Sequence, residues 1–247
     1  MKLVIPMLFG VVCVLSGCAS GPSTAPQRSI DASAARPGAF DLWQDCDMAD
    51  AEAWRLAAPR DADAALSGAA CHAFLVEQGQ GDLKTAEAGR RLAQQAVDAL
   101  PKSAEAHYLL AYLSGLEAQR NPLKALALVP VIEREALAAL KLNPALDEAG
   151  PARMLGDLYL QAPAFPMSIG DPALAVDYYE QAVELAPDQS ENRLGLVDAL
   201  LTEGRPADAC RQLQRFWKGL IPGESSSGPW ERGLELQGRM CEALQEE

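Results

Sequence analysis

Pro101, Pro144 and Pro187 stand 43 residues apart, and each closes a stretch built the same way. Gly89, Ala93 and Ala96 precede the first, Ile132, Ala136 and Ala139 the second, and Ala175, Tyr179 and Ala182 the third. Spacings of four, three and five residues place these side chains on one helix face, and the proline stops the helix beyond them. A fourth copy, Ala209, Leu213 and Phe216, reaches Pro222 one residue late. The segment before each copy also recurs: His107, Leu110 and Ala111; Ala152, Leu155, Gly156 and Tyr159; Arg193, Leu196 and Val197. A repeated helix pair cannot bury its apolar face alone, so copies must stack into an all-α array.

From Asp61 onward Ala and Leu abound and no alternating strand pattern competes. The periodicity predicts helices over about 61–78, 82–100, 103–119, 121–142, 151–161, 171–186, 189–203, 206–219 and 229–245. Asn121 and Asp171 are placed to cap helices whose first residues are Pro122 and Pro172, and Pro206 and Pro229 occupy similar starts. This pattern resembles the tetratricopeptide (TPR) repeat, a 34-residue helix pair with the signature W-x2-L-G-x2-Y…A-x3-F…P. The copy "LGDLY…ALAVDYYEQAVELAP" carries most of it; the others are degenerate, and none has the Trp.

The period is longer than the family's by nine residues. Val197 to Ala209 spans 12, as in an uninterrupted repeat, whereas Ala111 to Ile132 spans 21 and Gly156 to Ala175 spans 19. The extra residues, "QRNPLKALALVPV" and "QAPAFPMSIG", fall between the two helices of a repeat, and "AGP" at Ala149–Pro151 adds two more. The expected fold is therefore an all-α, TPR-like helical-hairpin solenoid with lengthened inter-helix insertions on one edge. Insertions on one face of a solenoid often form its binding face.

The N-terminus "MKLVIPMLFGVVCVLSGCAS" has one charge, Lys2, and an apolar stretch from Leu3 to Leu15, the form of a secretion signal. That stretch is short of the roughly 20 residues needed to cross a bilayer. "LSGC" at Leu15–Cys18 resembles the bacterial lipobox, which implies cleavage before Cys18 and acylation of its thiol and new amine. Ala19 resembles the outer-membrane sorting pattern. Three segments are expected: a lipoprotein signal peptide over 1–17, a lipidated flexible tether over 18–39, and a helical domain over 40–247. The expected location is the periplasmic face of the envelope, anchored in the outer membrane through acyl chains. Without residues 1–17 the chain keeps 20 Lys and Arg against 34 Asp and Glu, so nucleic acid is not an expected partner.

Four cysteines remain beyond Cys18 and the signal's Cys13: Cys46, Cys71, Cys210 and Cys241. An even number in an oxidising compartment favours two disulfides. Three pairings are open; Cys46 with Cys71 and Cys210 with Cys241 are favoured because each would staple a terminal element to its neighbour. Four reduced core thiols are the alternative. No CxxC is present and only His72 sits beside a Cys, so neither a metal nor a cofactor is expected.

An enzyme is not expected either. His72 and His107, the two histidines, lie in Ala-rich helical stretches and read as packing or partly exposed residues; HExxH, P-loop and dinucleotide motifs are missing. "GESSSG" at Gly223–Gly228 lacks the G-x-S-x-G spacing and reads as a linker. The scattered acids read as a solvated helical surface.

Lipobox, degenerate TPR array and the run "DEAGPARMLGDLYLQAPAFPMSIGDPALAVDYYEQAVELAPDQSENRLGLVDALL" together resemble the T-component (TatT) family associated with tripartite ATP-independent periplasmic (TRAP) transporters. The likeness spans most of residues 70–217. Gly150, Pro151, Arg153, Gly156, Pro163, Pro166, Gly170 and Asp171 match its motif, and Phe165 stands where an aromatic, often Trp, is typical. The resemblance implies a periplasmic lipoprotein that assembles into homo-oligomers with a central apolar passage and engages a TRAP solute-binding subunit. Two readings follow. In the first, a scaffold grips a periplasmic protein on its concave side through Tyr108, Tyr112, Arg153, Tyr159 and Asn192. In the second, a carrier holds a small apolar ligand with Leu123, Leu126, Leu128, Val129, Pro163, Phe165, Pro166 and Met167, core packing being the competing role for the leucines.

Overall fold

A computed structural model describes residues 42–43, 45–219 and 228–243, with side chains as far as Arg239. The signal peptide, Cys18, the tether and the side chain of Cys241 lie outside the described residues. Among those described there is no strand and there are ten α-helices: α1 (Met48–Ala57), α2 (Ala62–Glu77), α3 (Leu83–Ala99), α4 (Ala104–Arg120), α5 (Pro122–Leu142), α6 (Gly150–Gln161), α7 (Pro172–Leu185), α8 (Ser190–Thr202), α9 (Pro206–Gly219) and α10 (Gly228–Ala243). The nine expected helices are present with ends within two residues. No apolar period before Asp61 announces α1, although Asp47 caps it by accepting from the Ala49 and Asp50 N–H groups while Asp50 accepts from the Asp47 N–H. Aspartate in place of the usual Glu or Gln makes that capping box harder to recognise.

Side chains of Asp61, Asp82, Ser103 and Asp171 cap α2, α3, α4 and α7. Asn121 does not cap α5, contrary to expectation. It ends α4 and begins α5 at once, and its own N–H donates to Glu117 O and Ala118 O as the last turn of α4.

Helices α2/α3, α4/α5, α6/α7 and α8/α9 pack as successive hairpins, with α1 on α2 and α10 on α8 and α9. Helices α2, α4, α6 and α8 also touch in sequence and form one layer of the array. The repeat residues are what they bury: Ala93, Ala96, Ala136, Ala139, Ala175, Tyr179, Ala182, Ala209, Leu213 and Phe216 are all in the core.

The two insertions differ in kind. Asn121 alone separates α4 from α5, so the first insertion is helix: it extends α5 to 21 residues, about 32 Å. Lys124 ties this extension down, meeting Glu87 at 3.0 Å and Glu117 at 3.4 Å, and Arg90 closes on Glu117 at 2.6 Å. Glu117 and Glu135 are buried, which corrects the reading of all acids as solvated. Packing α5 along α4 covers them, and Glu135 is met by His107 at 2.5 Å and Arg134 at 2.7 Å.

The second insertion is a closed turn. Gly170 N–H donates to Pro163 O at 2.9 Å, Asp171 N–H to Tyr159 O at 2.9 Å, and the Phe165–Pro166 peptide is cis. A Cβ at Gly170 would lie 2.0 Å from Ala162 O, so only glycine closes it.

Cys46 and Cys71 form a disulfide, Cα atoms 5.8 Å apart, stapling the start of α1 to α2 as expected. Cys210 is a free, half-buried cysteine, and the side chain of Cys241, its favoured partner, lies outside the described residues.

Candidate functional site

A groove of about 550 Å³ opens where α4 and α6 run side by side under the extended end of α5. Small residues make the hollow: Ala111, Gly115 and Ala118 recur at spacings of four and three on α4, and nothing stands within 4 Å of where a Gly115 Cβ would be. The inserted turns of α5 raise one wall with Leu126 and Val129, Met154 and Leu158 of α6 face it, and Pro163 of the loop ends it. Glu77 of α2, Arg153 and Asp157 of α6, and Arg232 of α10 bring charge to the lining, and Tyr108, Tyr112, Gln119 and Gln161 add uncharged polar groups.

One end of the groove is rigidly built. Asp147, Glu148 and Ala149 have φ of 49°, 53° and 67°, three successive non-glycine residues in the left-handed region. Each such residue costs on the order of 1 kcal/mol or more, so the turn persists only because its surroundings hold it. The Asp147 carboxylate accepts from Tyr108 Oη at 2.5 Å, Trp43 Nε1 at 2.7 Å and Arg153 Nη2 at 3.0 Å. Arg153 Nη1 donates to Asn192 Oδ1 at 2.8 Å, and Asn192 Nδ2 donates to Glu148 O at 3.0 Å. A side chain at Gly150 would strike Tyr108 Oη at 2.5 Å. The "AGP" addition of the repeat thus becomes the exit from this turn.

Electrostatics follow from burial. Desolvation, then the Asp147 charge, pushes the Tyr108 phenol well above its ordinary value, so it acts as a neutral donor. Burial raises Asp157 as well, against the opposing hydrogen bond from Tyr179 Oη at 2.6 Å and the charges of Arg232 and Arg153.

Of the expected contact residues, Tyr108, Tyr112, Arg153 and Pro163 line the groove. Tyr159 does not: it is buried, donates to Glu133 at 2.5 Å and stacks on Tyr178 with centroids 5.5 Å apart. Asn192 is fully buried and its amide is spent on Glu148, Ala182 and Ala186 carbonyls, so it positions Arg153 and is not itself a contact surface. Among the apolar candidates, Leu128 is core and Val129 lines the groove from the core side. Leu123 is 98% exposed, Phe165 88%, Met167 72% and Leu126 52%, and Pro166 is exposed between the two loop residues.

Sequence reasoning missed Trp43, Asp147, Asp157 and Arg232. Asp157 lies four residues after Arg153 and so on the same face of α6, a signal that was there to read. Trp43 and Arg232 lie outside the repeats, and no local pattern brings them in.

Residues 168–216 match the tetratricopeptide repeat family, covering α7, α8 and most of α9. A thermophilic TPR protein of Thermus thermophilus superposes with a TM-score of 0.55 over 79% of this chain and 89% of that one, at 16% identity. The fold is a TPR-type helical solenoid. PilF of Pseudomonas aeruginosa matches 77% of this chain and 86% of its own at 18% identity, with a TM-score of 0.38, too low to bear on the fold. No curated protein matches the sequence significantly.

Proposed function

We propose that the chain is a non-enzymatic, outer-membrane-anchored periplasmic lipoprotein whose groove holds a segment of a periplasmic protein, a TRAP solute-binding subunit being the specific candidate. The observation that carries this reading is the groove itself, a trough lined by both apolar and fixed polar groups and roofed on one side by turns the repeat did not need. The Cys46–Cys71 disulfide supports an oxidising compartment. The lipobox supports the anchor at Cys18, and the motif from Gly150 to Asp171 supports the TRAP association. Exposed Phe165 and Met167 beside the groove supply apolar contact for a partner.

The test is site-specific photocrosslinking in cells from position 115, where a bulky residue meets nothing within 4 Å. The expected adduct is a periplasmic solute-binding protein, formed less in Phe165→Ala. Palmitate labelling lost in Cys18→Ser checks the anchor. The groove's volume also suits a small apolar ligand, the carrier reading. Native mass spectrometry showing fatty acid bound, with no crosslinked protein, would favour that reading instead.

A further inference from the structure

We propose, building on the groove reading above, that Trp43 is a positioning residue through which the N-terminal segment is coupled to occupancy of the groove. Trp43 is not in the groove lining, yet it reaches three residues that are. Its Nε1–H donates to Asp147 Oδ1 at 2.7 Å, while Asp147 Oδ2 accepts from Tyr108 at 2.5 Å and Arg153 at 3.0 Å. One carboxylate therefore joins the indole to two groove residues. The indole ring also meets Tyr112 edge-on, centroids 5.3 Å apart at 72°, and Tyr112 leans on Tyr108 at 6.0 Å.

The segment carrying Trp43 is clamped on both sides. Leu42 is buried in the core of α2, α3 and α4, and Cys46 is bonded to Cys71 of α2. The turn that Trp43 grips is the left-handed run Asp147–Ala149, the strained part of the site. A strained turn persists only because its surroundings hold it, so removing one holder loosens it. By linkage, whatever fills the groove and fixes Tyr112 and Arg153 tightens the Trp43 dock, and whatever loosens the dock weakens the groove by the same factor.

The test uses the mature chain and the neutral dye N-phenyl-1-naphthylamine as groove probe. Trp43→Phe keeps a ring on Tyr112 and deletes the donor to Asp147. Loss of a hydrogen bond to a charged acceptor predicts exchange of the Gly150 and Arg153 amides faster by roughly tenfold or more, with α8 and α9 unchanged. Dye affinity is expected to fall by roughly fivefold or more, and a rise would overturn the coupling. The Trp43 indole N–H resonance, identified by its absence in Trp43→Phe, is expected to shift as dye is added to wild type. A merely structural Trp43 would move exchange everywhere together. Unchanged exchange and affinity in both Trp43→Phe and Asp147→Asn overturn the coupling. Should wild type take up no dye, the groove reading fails, and the exchange of Gly150 and Arg153 alone decides whether Trp43 holds the turn.

Discussion

Replacing Gly195 with alanine tests the register of the array at its tightest point. The Tyr179 ring is 1% exposed and lies between α6 and α8, against a glycine on each. A Cβ on Gly195 would fall 2.0 Å from Tyr179 Cε1 and 2.4 Å from Cζ, and one on Gly156 2.7 Å from Cδ2. The ring cannot slide aside, because Asp157 holds its hydroxyl at 2.6 Å. Overpacking of a filled core costs typically about 1–3 kcal/mol and at times more. Alanine returns about 1 kcal/mol of helix propensity. With the overlap this deep, overpacking wins, and Gly195→Ala should lose about 2 kcal/mol net. Gly115→Ala is the control: with nothing within 4 Å it should gain about 0.5–1 kcal/mol. At roughly 2–4 °C per kcal/mol for a domain of this size, the first variant melts about 4–8 °C lower and the second a few degrees higher. Thermal and urea unfolding followed by far-ultraviolet circular dichroism measures both. In a Tyr179→Leu background most of the Gly195→Ala cost should vanish, since the atoms it strikes are gone. Gly195→Ala as stable as wild type, or equally costly without the ring, would refute the packing described.

Cys46→Ser/Cys71→Ser opens a 25-residue separation, which on the chain-entropy estimate costs about 3–4 kcal/mol; hydrogen exchange should show α1 protection lost first. Asp157 has a raised pKa, so its stabilising contribution is present below the ordinary value of 3.8 and lost as pH rises through the folded value. Asp157→Asn, which keeps an acceptor for Tyr179, should therefore be more stable than wild type at neutral pH and equal to it in acid, as urea midpoints across pH would report. Phe165→Ser and Met167→Ser should leave stability within about 0.5 kcal/mol, both side chains being exposed, while reducing partner crosslinking from position 115.

The hairpins could be read from sequence because each repeat residue contributes locally: Ala136 and Ala139, or Ala175, Tyr179 and Ala182, sit on one helix face and are buried for that reason. The strained end of the groove could not. Trp43 and Asp147 are 104 residues apart, and the superhelix alone brings them within a hydrogen bond. Asn192 shows the opposite error, a polar residue at a plausible surface position of α8 that the neighbouring turn at Glu148 covers completely. Periodicity reports which face of a helix is buried; it does not report what a loop from the preceding repeat will lay over the other face.

The nine-residue excess in the repeat is where sequence and site meet. An uninterrupted TPR hairpin would begin α5 only near the level of Val131, leaving Ala111, Gly115 and Ala118 of α4 as a shallow open strip. Continuing the helix back to Pro122 places Leu126 and Val129 over that strip, and burying Glu117 with Arg90 and Lys124 fixes the added turns in place. A flexible insertion of the same length could cover the strip only by ordering itself on binding, at an entropic cost the helix has already met in folding. The second insertion cannot do this, because its prolines and Gly170 close it into a short turn that ends the groove with Pro163 and turns Phe165 and Met167 outward. One insertion therefore shapes the groove and the other marks its exit, which is why truncating α5 before Val131 should abolish binding at position 115 while Phe165→Ser only weakens it.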